Sequence, residues 1–306
     1  MVDKTQVCVV GADGFVGSWL RRTLARRGMR VAELNRKTPM LESSDRPVPA
    51  LRTAHTIFYL AMSVNISLAE ESPRLVAADR STFAKFLDAM AETPERPTVV
   101  LTSTGGAIYD MEAEPPHSES SQVLPLSAYG RAKLEMERQL LAHRGVVRPI
   151  VLRLSNVYGP GQRTDRSQGV VGHWLDAARR GVPLRVYGSL RSVRDYIYVQ
   201  DAVDAMICAH CRAAELESGW PDPIFNIGSG AATSLADLLD AATRAVDRRV
   251  VAIHEPGRPF DDRRSWLDIT RAEKALDWRP RTRLNDGVAR TWHWTDRPGD
   301  DDHGRS

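Results

Sequence analysis

Short apolar runs along the chain alternate with stretches whose apolar residues recur at helical spacing. Four of the runs predict buried strands, at 6–10, 30–34, 56–61 and 97–102. A helix is predicted directly after the first run, ending at Gly28, and another over 73–90. Strands that alternate with helices in this way indicate a parallel sheet with helices on both faces.

The regular alternation stops after one more buried strand, PIVLRLSNVYG, which ends at Gly159. The rest of the chain predicts a helix over 169–180, an isolated strand in VPLRVYG, a short strand in RDYIYV that runs into a helix, a strand in PIFNIGSG and a helix over 234–246. This less regular part indicates a smaller α/β lobe. The residues 297–306 are polar and predict a disordered tail.

Gly11, Gly14 and Gly17 lie between the first strand and the first helix, in the spacing G-x-x-G-x-x-G. Without Cβ atoms here, the backbone can turn tightly and approach a pyrophosphate, whose charge the N-terminus of the helix stabilises. This position predicts dinucleotide binding, with Phe15 and Val16 in the same turn. The predicted fold is therefore a Rossmann-type doubly wound parallel sheet with a smaller α/β C-terminal substrate-binding lobe.

These patterns divide the chain into two predicted domains. The dinucleotide-binding domain covers 1–157, and the chain returns to it at about 195–228. The smaller substrate-binding lobe covers 158–194 and 229–296. Doubly wound folds bind their ligands at the carboxyl ends of the strands, so candidate chemistry is expected at that edge.

The end of the second strand indicates which dinucleotide binds. A site that prefers NAD usually has a carboxylate here, but the chain reads VAELNRKT, with Asn35 and Arg36 in this place and Glu33 two residues too early. A guanidinium without a carboxylate suits the additional 2′-phosphate of NADP, with Lys37 in support. The alternative is a solvated arginine in an arginine-rich protein. The sequence favours NADP(H) over NAD(H) as cofactor.

Composition disfavours several classes of function. The chain has 306 residues, 42% of them hydrophobic, and a net charge of +3 at pH 7, which gives no electrostatic footprint for nucleic acid. No apolar run approaches the length of a membrane helix and the N-terminus lacks a signal-peptide pattern, so a cytoplasmic protein without membrane contact is expected. Cys8, Cys208 and Cys211 suit a reducing compartment, and Cys208-Ala-His-Cys211 has no second Cys/His pair with which to bind a metal.

The segment SAYGRAKLEMERQ, residues 127–139, has helical spacing and follows the fourth predicted strand. Ser127 is a candidate cap, and Tyr129 and Lys133 stand four residues apart, so they project from one face of the helix. The preceding LTSTGGAIYD places the hydroxyls of Ser103 and Thr104 at the carboxyl end of the fourth strand. A surface pair and a proton-transfer pair are both compatible with these residues alone.

Seven segments, in the same order along the chain, resemble the extended short-chain dehydrogenase/reductase superfamily in its branch of nucleotide-sugar epimerases, dehydratases and reductases. They are GADGFVG, FYLAMSV, STGGAIYD, YGRAK, LRLSNVYGPGQ, RDYIYVQDAVDA and FNIGSG. The resemblance extends from Gly11 to about Trp294. It implies that Leu60 and Ala61, in the FYLAMSV segment, bind the cofactor.

The resemblance also implies a mechanism. Tyr129 would be the general acid/base for the hydroxyl or carbonyl oxygen of the substrate. Lys133 would hold the nicotinamide ribose and lower the pKa of the phenol through its positive charge. Thr104 would hydrogen-bond the same substrate oxygen, with Ser103 as the alternative because STGG is one residue longer than the commonest spelling in the family.

The implied substrate is a nucleoside-diphosphate sugar. Asn156 and Arg194 stand where members of the family bind the sugar nucleotide, and Arg258 in GRPFDD matches a frequent diphosphate clamp, with a solvated arginine as the alternative. Asp45 cannot be assigned to the adenine pocket, because the chain is short where the family has a further strand. A homodimer through the two middle helices is also implied, and a plain surface helix is equally compatible. The candidate interface residues are Leu134, Gln139 and Leu140.

The residues after the hydroxyl-bearing segment bear on the reaction. Gly105 and Gly106 occupy the place of the Asp-Glu pair of 4,6-dehydratases, so dehydration is disfavoured. The Asn35-Arg36 pair favours an NADPH-dependent 4-ketoreductase of a dTDP-4-keto-6-deoxyhexose, as used in deoxysugar biosynthesis. The alternative is a UDP-hexose 4-epimerase with retained NAD, which STGGAIY resembles. A non-enzymatic dinucleotide sensor is disfavoured because Tyr129 and its partners are present.

Overall fold

A six-stranded parallel sheet forms the centre of the protein in the computed structural model, which describes residues 6–93, 95–164, 169–257 and 264–295. The strands are β1 (Gln6–Val10), β2 (Arg30–Leu34), β3 (Thr56–Tyr59), β4 (Thr98–Thr104), β5 (Arg148–Leu154), β6 (Asn156–Tyr158), β7 (Leu184–Tyr187), β8 (Val193–Arg194), β9 (Tyr196–Tyr198), β10 (Ile224–Ile227), β11 (Thr233–Ser234) and β12 (Ala252–Glu255). The predicted tail, 297–306, lies outside the described residues.

Helices connect these strands, and a 3₁₀ turn (Met90–Glu92) follows the longest of them. They are α1 (Phe15–Arg26), α2 (Pro49–Arg52), α3 (Ile66–Glu71), α4 (Pro73–Ala89), α5 (Ala128–Ala142), α6 (Val170–Arg179), α7 (Val199–Cys211), α8 (Ala213–Gly219), α9 (Leu235–Ala245), α10 (Thr270–Leu276) and α11 (Leu284–Thr295). Among the described residues, no helix is both long enough and apolar enough to cross a membrane.

The main sheet has the strand order β10-β5-β4-β3-β1-β2, with parallel neighbours throughout. Val10 at the end of β1 pairs with Leu34 on one side and with Tyr59 on the other. The carboxyl ends of these three strands therefore meet at one edge. Since the strand order runs outward from β1 in both directions, the switch point of the sheet lies there, and such folds bind ligands at this point.

Helices cover both faces of the main sheet. On one face Leu20 of α1 and Met206 of α7 belong to one apolar cluster, and on the other Phe86 of α4 packs with Met136 of α5. The central strands β1 and β3 are mostly apolar because they are covered from both sides. β4 is also buried along its whole length, although its last three residues are Thr102, Ser103 and Thr104. This arrangement confirms the predicted doubly wound Rossmann-type sheet.

A third apolar cluster forms the core of the smaller C-terminal part. It contains Trp174 of α6, Leu238 of α9 and Trp292 of α11. Small two-stranded sheets lie beside the main sheet, pairing β6 with β9, β7 with β12 and β8 with β11. The chain also returns to the main sheet, because β10 pairs with β5.

The predicted strand in VPLRVYG is present, but the prediction that it is isolated is wrong. This segment contains β7, which lies parallel to β12, with Leu184 opposite Ala252 and Tyr187 opposite Glu255. The sequence analysis predicts no strand over β12, and in the structure its two middle residues are both exposed. The pairing therefore depends on the partner strand rather than on a local pattern.

Two candidates for a homodimer interface contribute to the interior of this chain instead. Leu140 is 0% exposed and belongs to the same cluster as Met136, so its assignment to an interface is wrong. Leu134 is partly buried and packs beside Ile108 and Tyr109. Both side chains cover the core of their own chain.

Candidate active site

The turn at Gly11 brings the end of β1 against the end of β3. Gly11 has a φ of +91°, and a Cβ at this position would lie 2.9 Å from the Ala61 nitrogen. A Cβ at Gly17, in the first turn of α1, would overlap the Gly11 carbonyl oxygen. Side chains at either position would push the helix away from the sheet, so these two glycines keep the start of α1 against the sheet edge.

The N-terminus of α1 is open to an anion. Its N-cap, Gly14, offers no side-chain acceptor, and the first turn, beginning with Phe15 and Val16, has no acidic residue. Three of the other described helices instead begin with a side chain that accepts a bond from the first turn: Asn65 for α3, Ser127 for α5 and Ser234 for α9. Uncapped N–H groups together with the helix dipole suit a phosphate, so this cradle fits the pyrophosphate of a dinucleotide.

The segment after β2 is a closed polar turn. The Asn35 side-chain oxygen accepts a hydrogen bond from the Lys37 N–H at 2.9 Å, and the Asn35 N–H donates to the Thr38 hydroxyl at 2.7 Å. Arg36 is exposed between them. The Asn35 carboxamide therefore shapes the turn, and the turn presents the Arg36 guanidinium at the end of β2.

Leu60 and Ala61 continue the line of β3 towards α4. The Leu60 N–H donates to the last carbonyl of β1 at 2.9 Å, so the pairing extends past the strand. Ser63 is fixed to α4, because its N–H and its hydroxyl both donate to the Asp79 carboxylate, at 2.8 and 2.7 Å. The segment that the resemblance assigns to the cofactor is therefore held between the glycine turn and α4.

Helix α5, which carries the predicted Tyr–Lys pair, has a firmly held first turn. The Ser127 hydroxyl accepts from the Gly130 N–H at 3.0 Å, as predicted for a cap, and Glu70 of α3 accepts from the Ala128 N–H at 2.6 Å. Gly130 packs on the Ala107 carbonyl oxygen so closely that no side chain would fit. These contacts fix the start of α5 against the segment that follows β4.

The Lys133 side chain runs from α5 to β4. Lys133 is 3% exposed, and its Nζ donates to the Thr102 carbonyl oxygen at 2.9 Å. The same Nζ atom lies 5.9 Å from the centre of the Tyr129 ring. Burial lowers its pKa to about 8, while the negative charges of Asp79 and Glu137 raise it. The ammonium has three protons to donate, and Thr102 is its hydrogen-bond partner among the described residues.

The Tyr129 side chain is partly exposed, and the centre of its ring lies 5.9 Å from the Lys133 Nζ. Desolvation raises the pKa of the phenol to about 12. The resemblance implies that the Lys133 charge acts against this shift while Lys133 holds the nicotinamide ribose, and this stays a prediction.

Ser103 and Thr104 lie at the end of β4, close to the place where Lys133 is bound. Thr104 is 9% exposed and Ser103 is 4% exposed, and the Ser103 hydroxyl has no hydrogen-bond partner among the described residues. Because successive side chains of a strand point to opposite faces, only one of the two hydroxyls is expected to face the substrate. No contact among the described residues selects between them, so both stay candidates for binding the substrate oxygen.

A buried charged network anchors α5 behind the Tyr–Lys pair. Glu137 is 1% exposed and Arg153 of β5 is 4% exposed, and their closest atoms are 2.7 Å apart. Arg153 also donates to the Tyr109 hydroxyl at 3.0 Å, which donates to the Asn226 side-chain oxygen at 2.6 Å. The network joins α5, β5, β10 and the segment after β4, so it holds the elements that carry the candidate residues.

A narrow cleft lies beside the carboxyl end of β4. The residues along it include Gly105, Gly106, Asn156, Arg194, Ser265 and Trp266. The Asn156 side chain donates to the Asp195 carbonyl oxygen at 2.9 Å, and Arg194 donates to the Val193 carbonyl oxygen at 2.9 Å. The structure thus brings together two of the three residues that the resemblance implies for the sugar nucleotide; the third, Arg258, lies outside the described residues.

Asp195 is a structural residue of the cleft that the sequence interpretation missed. It is 2% exposed, and its carboxylate accepts from the Ser229 N–H at 2.7 Å, the Ser229 hydroxyl at 2.8 Å and the Leu267 N–H at 3.3 Å. Burial raises its pKa, and the bonds from Ser229 act in the opposite direction. The sequence could have pointed to Asp195, because it directly follows Arg194, a predicted substrate-binding residue. No sequence pattern marks Trp266 or Ser265 as part of the cleft.

Comparison with known proteins gives a consistent picture of the chain. The sequence profile of the NAD dependent epimerase/dehydratase family matches residues 7–228. A dTDP-4-dehydro-6-deoxyglucose reductase of Escherichia coli is 35% identical over 192 residues, which are 62% of this chain and 58% of that protein, less than two thirds of its length. A UDP-glucose 4-epimerase of Mycolicibacterium smegmatis is 31% identical over 92% of this chain and 96% of its own.

A solved structure supports the same comparison at the level of the fold. The UDP-glucose 4-epimerase of Thermotoga maritima, crystallised with UDP-glucose, superposes with a TM-score of 0.82. The two proteins are 27% identical, and the match covers 95% of this chain and 98% of the other. The similarity therefore includes the sheet and the smaller C-terminal part.

Proposed function

Because the chain belongs to the NAD dependent epimerase/dehydratase family, whose members similar to it are enzymes acting on nucleotide sugars, we propose that it is an NADPH-dependent 4-ketoreductase of a dTDP-4-keto-6-deoxyhexose. The observation that carries this proposal is the turn after β2, which offers a guanidinium where NAD-binding sites usually have a carboxylate. A reductase uses one reduced cofactor in every turnover, and a site that selects NADPH suits this reaction.

The charges around the turn support NADPH. Arg36 is exposed, and Asn35, which holds the turn closed, is neutral. Glu33, the carboxylate two residues earlier, is paired with Arg21 at 3.5 Å. A 2′-phosphate at this turn could accept hydrogen bonds from the Arg36 guanidinium. Neither neighbour of Arg36 in the chain, Asn35 or Lys37, carries a carboxylate that would repel the phosphate.

In the proposed reduction, each candidate residue has a separate role. When bound, the nicotinamide supplies a hydride to C4. Tyr129 donates its proton to the C4 oxygen, so that a ketone, a hydride and a proton give the alcohol. Lys133 binds the ribose through its ammonium group. Its positive charge also stabilises the phenolate that Tyr129 becomes after it has donated its proton. The Thr104 hydroxyl orients the C4 oxygen, with Ser103 as the alternative.

The cleft supplies groups for the rest of the substrate. Asn156 and Arg194 line it, next to the glycines after β4. An amide and a guanidinium suit the hydroxyl and diphosphate oxygens of a sugar nucleotide. We propose that these two residues bind it, with Arg258 as a second cation for the diphosphate.

A second candidate function is 4-epimerisation of a UDP-hexose with retained NAD. It is favoured by the match to the epimerase of Mycolicibacterium smegmatis, which covers 96% of that protein, whereas the match to the Escherichia coli reductase covers 58%. The two functions share the Tyr129–Lys133 pair and differ in whether the cofactor leaves. The cofactor therefore separates them.

The first experiment compares the two reactions with purified protein. We expect dTDP-4-keto-6-deoxyglucose and NADPH to give one dTDP-6-deoxyhexose per NADPH oxidised, followed by absorbance and by chromatography of the sugar nucleotide. UDP-glucose without added cofactor is expected to stay unchanged. Interconversion of UDP-glucose and UDP-galactose by protein that retains NAD through purification would instead establish the epimerase.

Replacement of Arg36 by alanine tests the cofactor preference. A hydrogen bond to a charged group contributes about 1.5–3 kcal/mol, so the KM for NADPH is expected to rise roughly 10- to 100-fold. The KM for NADH should stay close to that of the wild type, because NADH has no 2′-phosphate. Arg30→Ala is the matched control, since Arg30 is exposed at the other end of β2. Equal effects of Arg36→Ala on both cofactors would contradict the assignment.

A further inference from the structure

His117 is a buried histidine in the segment that joins β4 to α5. It is 0% exposed, and neither of its ring nitrogens has a hydrogen-bond partner among the described residues. Burial lowers the pKa of the imidazole, and the negative charge of Asp110 acts in the opposite direction. His117 is therefore neutral at physiological pH. The proposed reduction gives it no role.

The backbone of His117 holds one wall of the substrate cleft. This cleft wall consists of residues 265–267, all of which line the cleft. The His117 N–H donates to the Trp266 carbonyl oxygen at 2.9 Å, and the His117 carbonyl oxygen accepts from the Asp268 N–H at 2.9 Å. The Asn226 side chain donates to the same carbonyl oxygen at 2.9 Å. A displacement of His117 would therefore displace the cleft wall.

The His117 ring packs on an aromatic ring that already has a cation beside it. It stacks on Tyr109, with the ring centres 5.2 Å apart and the two planes at 14°. The Arg153 guanidinium carbon lies 5.2 Å from the centre of the same Tyr109 ring, and Arg153 donates to the Tyr109 hydroxyl at 3.0 Å. A proton on His117 would place a second positive charge beside this ring. Both N–H groups would then be buried without an acceptor among the described residues.

We propose that His117 is an acid-sensitive positioning residue, which holds the cleft wall in place as a neutral imidazole and releases it when the ring is protonated. The proposal rests on the proposed function for the identity of the substrate in the cleft. A buried cation without a partner costs far more free energy than a neutral ring, so the protonated ring is expected to move towards water. This movement breaks the backbone bonds to Trp266 and Asp268, and the cleft wall separates from the segment after β4.

The charged and titratable groups around His117 come from its own segment, from β5 and from the chain beyond the cleft wall. They are Tyr109, Asp110, Glu119, Arg153, Asp268 and Arg271. Asp110 is the carboxylate whose charge favours a protonated His117, but it makes no hydrogen bond to the ring. The Glu119 carboxylate lies 3.7 Å from Arg271 and accepts a hydrogen bond from the Asn226 N–H. These carboxylates therefore leave the imidazole without a counter-ion in contact.

The lowered pKa of His117 fixes the direction of the pH effect. The unfolded chain binds a proton at His117 near the ordinary pKa of about 6.5, whereas the folded chain binds it only at lower pH. His117 therefore contributes stability that is fully present above about pH 6.5 and is lost as the pH falls through the folded pKa. In this window the residue should raise the unfolding constant by up to about tenfold for each pH unit.

Denaturant unfolding tests the proposal without substrate or cofactor. His117→Phe keeps an aromatic ring on Tyr109 and removes both ring nitrogens. From about pH 6.5 to about pH 5.5, the unfolding constant of the wild type is expected to rise up to about tenfold more than that of His117→Phe. His254→Phe, at an exposed position of β12, is the matched control and should keep the wild-type dependence. An equal dependence in the wild type and in His117→Phe would overturn the proposal.

NMR of the wild-type protein measures the coupling of His117 to the cleft wall. The chain has eight histidines and seven tryptophans, so labelling of these two residue types gives few signals. The His117 ring is expected to bind its proton only below about pH 6.5, and the Trp266 indole signal, assigned by its loss in Trp266→Phe, should shift with the same midpoint. This measurement decides the matter even if His117→Phe does not fold. An ordinary His117 pKa, or a Trp266 signal that does not follow it, would overturn the proposal.

The KM for the sugar nucleotide connects the proposal to the reaction. In the wild type, the KM for dTDP-4-keto-6-deoxyglucose is expected to rise as the pH falls below about 6.5, with a smaller change in kcat. This rise should be absent from His117→Phe, whereas His117→Ala, which removes the ring, should raise the KM at every pH. An equal rise in the wild type and in His117→Phe would contradict the proposal. If the protein reduces no 4-keto sugar while the Trp266 signal follows the protonation of His117, the proposed function is refuted and the acid-sensitive cleft wall stands.

Discussion

Replacement of Tyr129 by phenylalanine is expected to lower kcat for reduction by on the order of 10²- to 10⁴-fold, the usual contribution of a positioned general acid. The change removes the phenolic hydroxyl and keeps the ring over which the Lys133 ammonium lies, at 5.9 Å from the ring centre. Cofactor affinity and Tm are therefore expected to stay close to the wild-type values. Steady-state kinetics with saturating NADPH, together with cofactor titration by fluorescence, measure both.

Tyr158→Phe is the matched control for this loss. The Tyr158 side chain is buried. Its hydroxyl donates a long hydrogen bond, 3.4 Å, to the Leu284 carbonyl oxygen in the C-terminal part. We expect its kcat to be nearly that of the wild type. If Tyr129→Phe were as active as this control, proton donation by Tyr129 would be ruled out, and the non-enzymatic dinucleotide sensor would regain support.

The parts of the site that the sequence predicts well are those encoded locally. The change from strand spacing to helix spacing at Gly11 marks a strand–turn–helix unit within a few residues, and the structure confirms it. Tyr129 and Lys133 are four residues apart on one capped helix, so their common face follows from helix geometry alone. Such features need no knowledge of distant partners.

The parts that the sequence does not predict depend on partners far along the chain. Glu137 has the spacing of an ordinary solvated helix charge, and only the structure places it against Arg153. Asp79 gives no signal in AADRS, and only the structure shows that its carboxylate accepts two hydrogen bonds from Ser63, in the segment after β3.

Loss of the buried Glu137 charge should have the largest effect on stability. Glu137→Gln keeps the size of the side chain but leaves the Arg153 guanidinium buried without a counter-ion, which costs about 3–5 kcal/mol in the free energy of unfolding. Burial by itself lowers the pKa of Arg153, and its bonds to Glu137 reverse this effect. Without the carboxylate, the desolvation of the cation is no longer offset.

Denaturant unfolding of Glu137→Gln and of a surface control measures this difference. Glu92→Gln breaks the pair with Arg46, in which both side chains are more than half exposed, and is expected to cost less than about 1 kcal/mol. A cost for Glu137→Gln as small as that for Glu92→Gln would show that water reaches Arg153 and that the pair does not hold α5 to β5.

The double variant Glu137→Gln with Arg153→Met separates the net value of the ion pair from the penalty of breaking it. If the cost of Glu137→Gln comes from an isolated buried cation, removal of that cation should recover most of the lost stability, because apolar replacements of buried pairs are often close to neutral. Tyr109 and Asn226 limit the recovery, since the phenol loses the guanidinium that donates to it at 3.0 Å. Most of the stability would then return, whereas the alignment of α5 with the end of β4 would not. We therefore expect the double variant to regain most of the lost free energy of unfolding and to keep a lowered kcat.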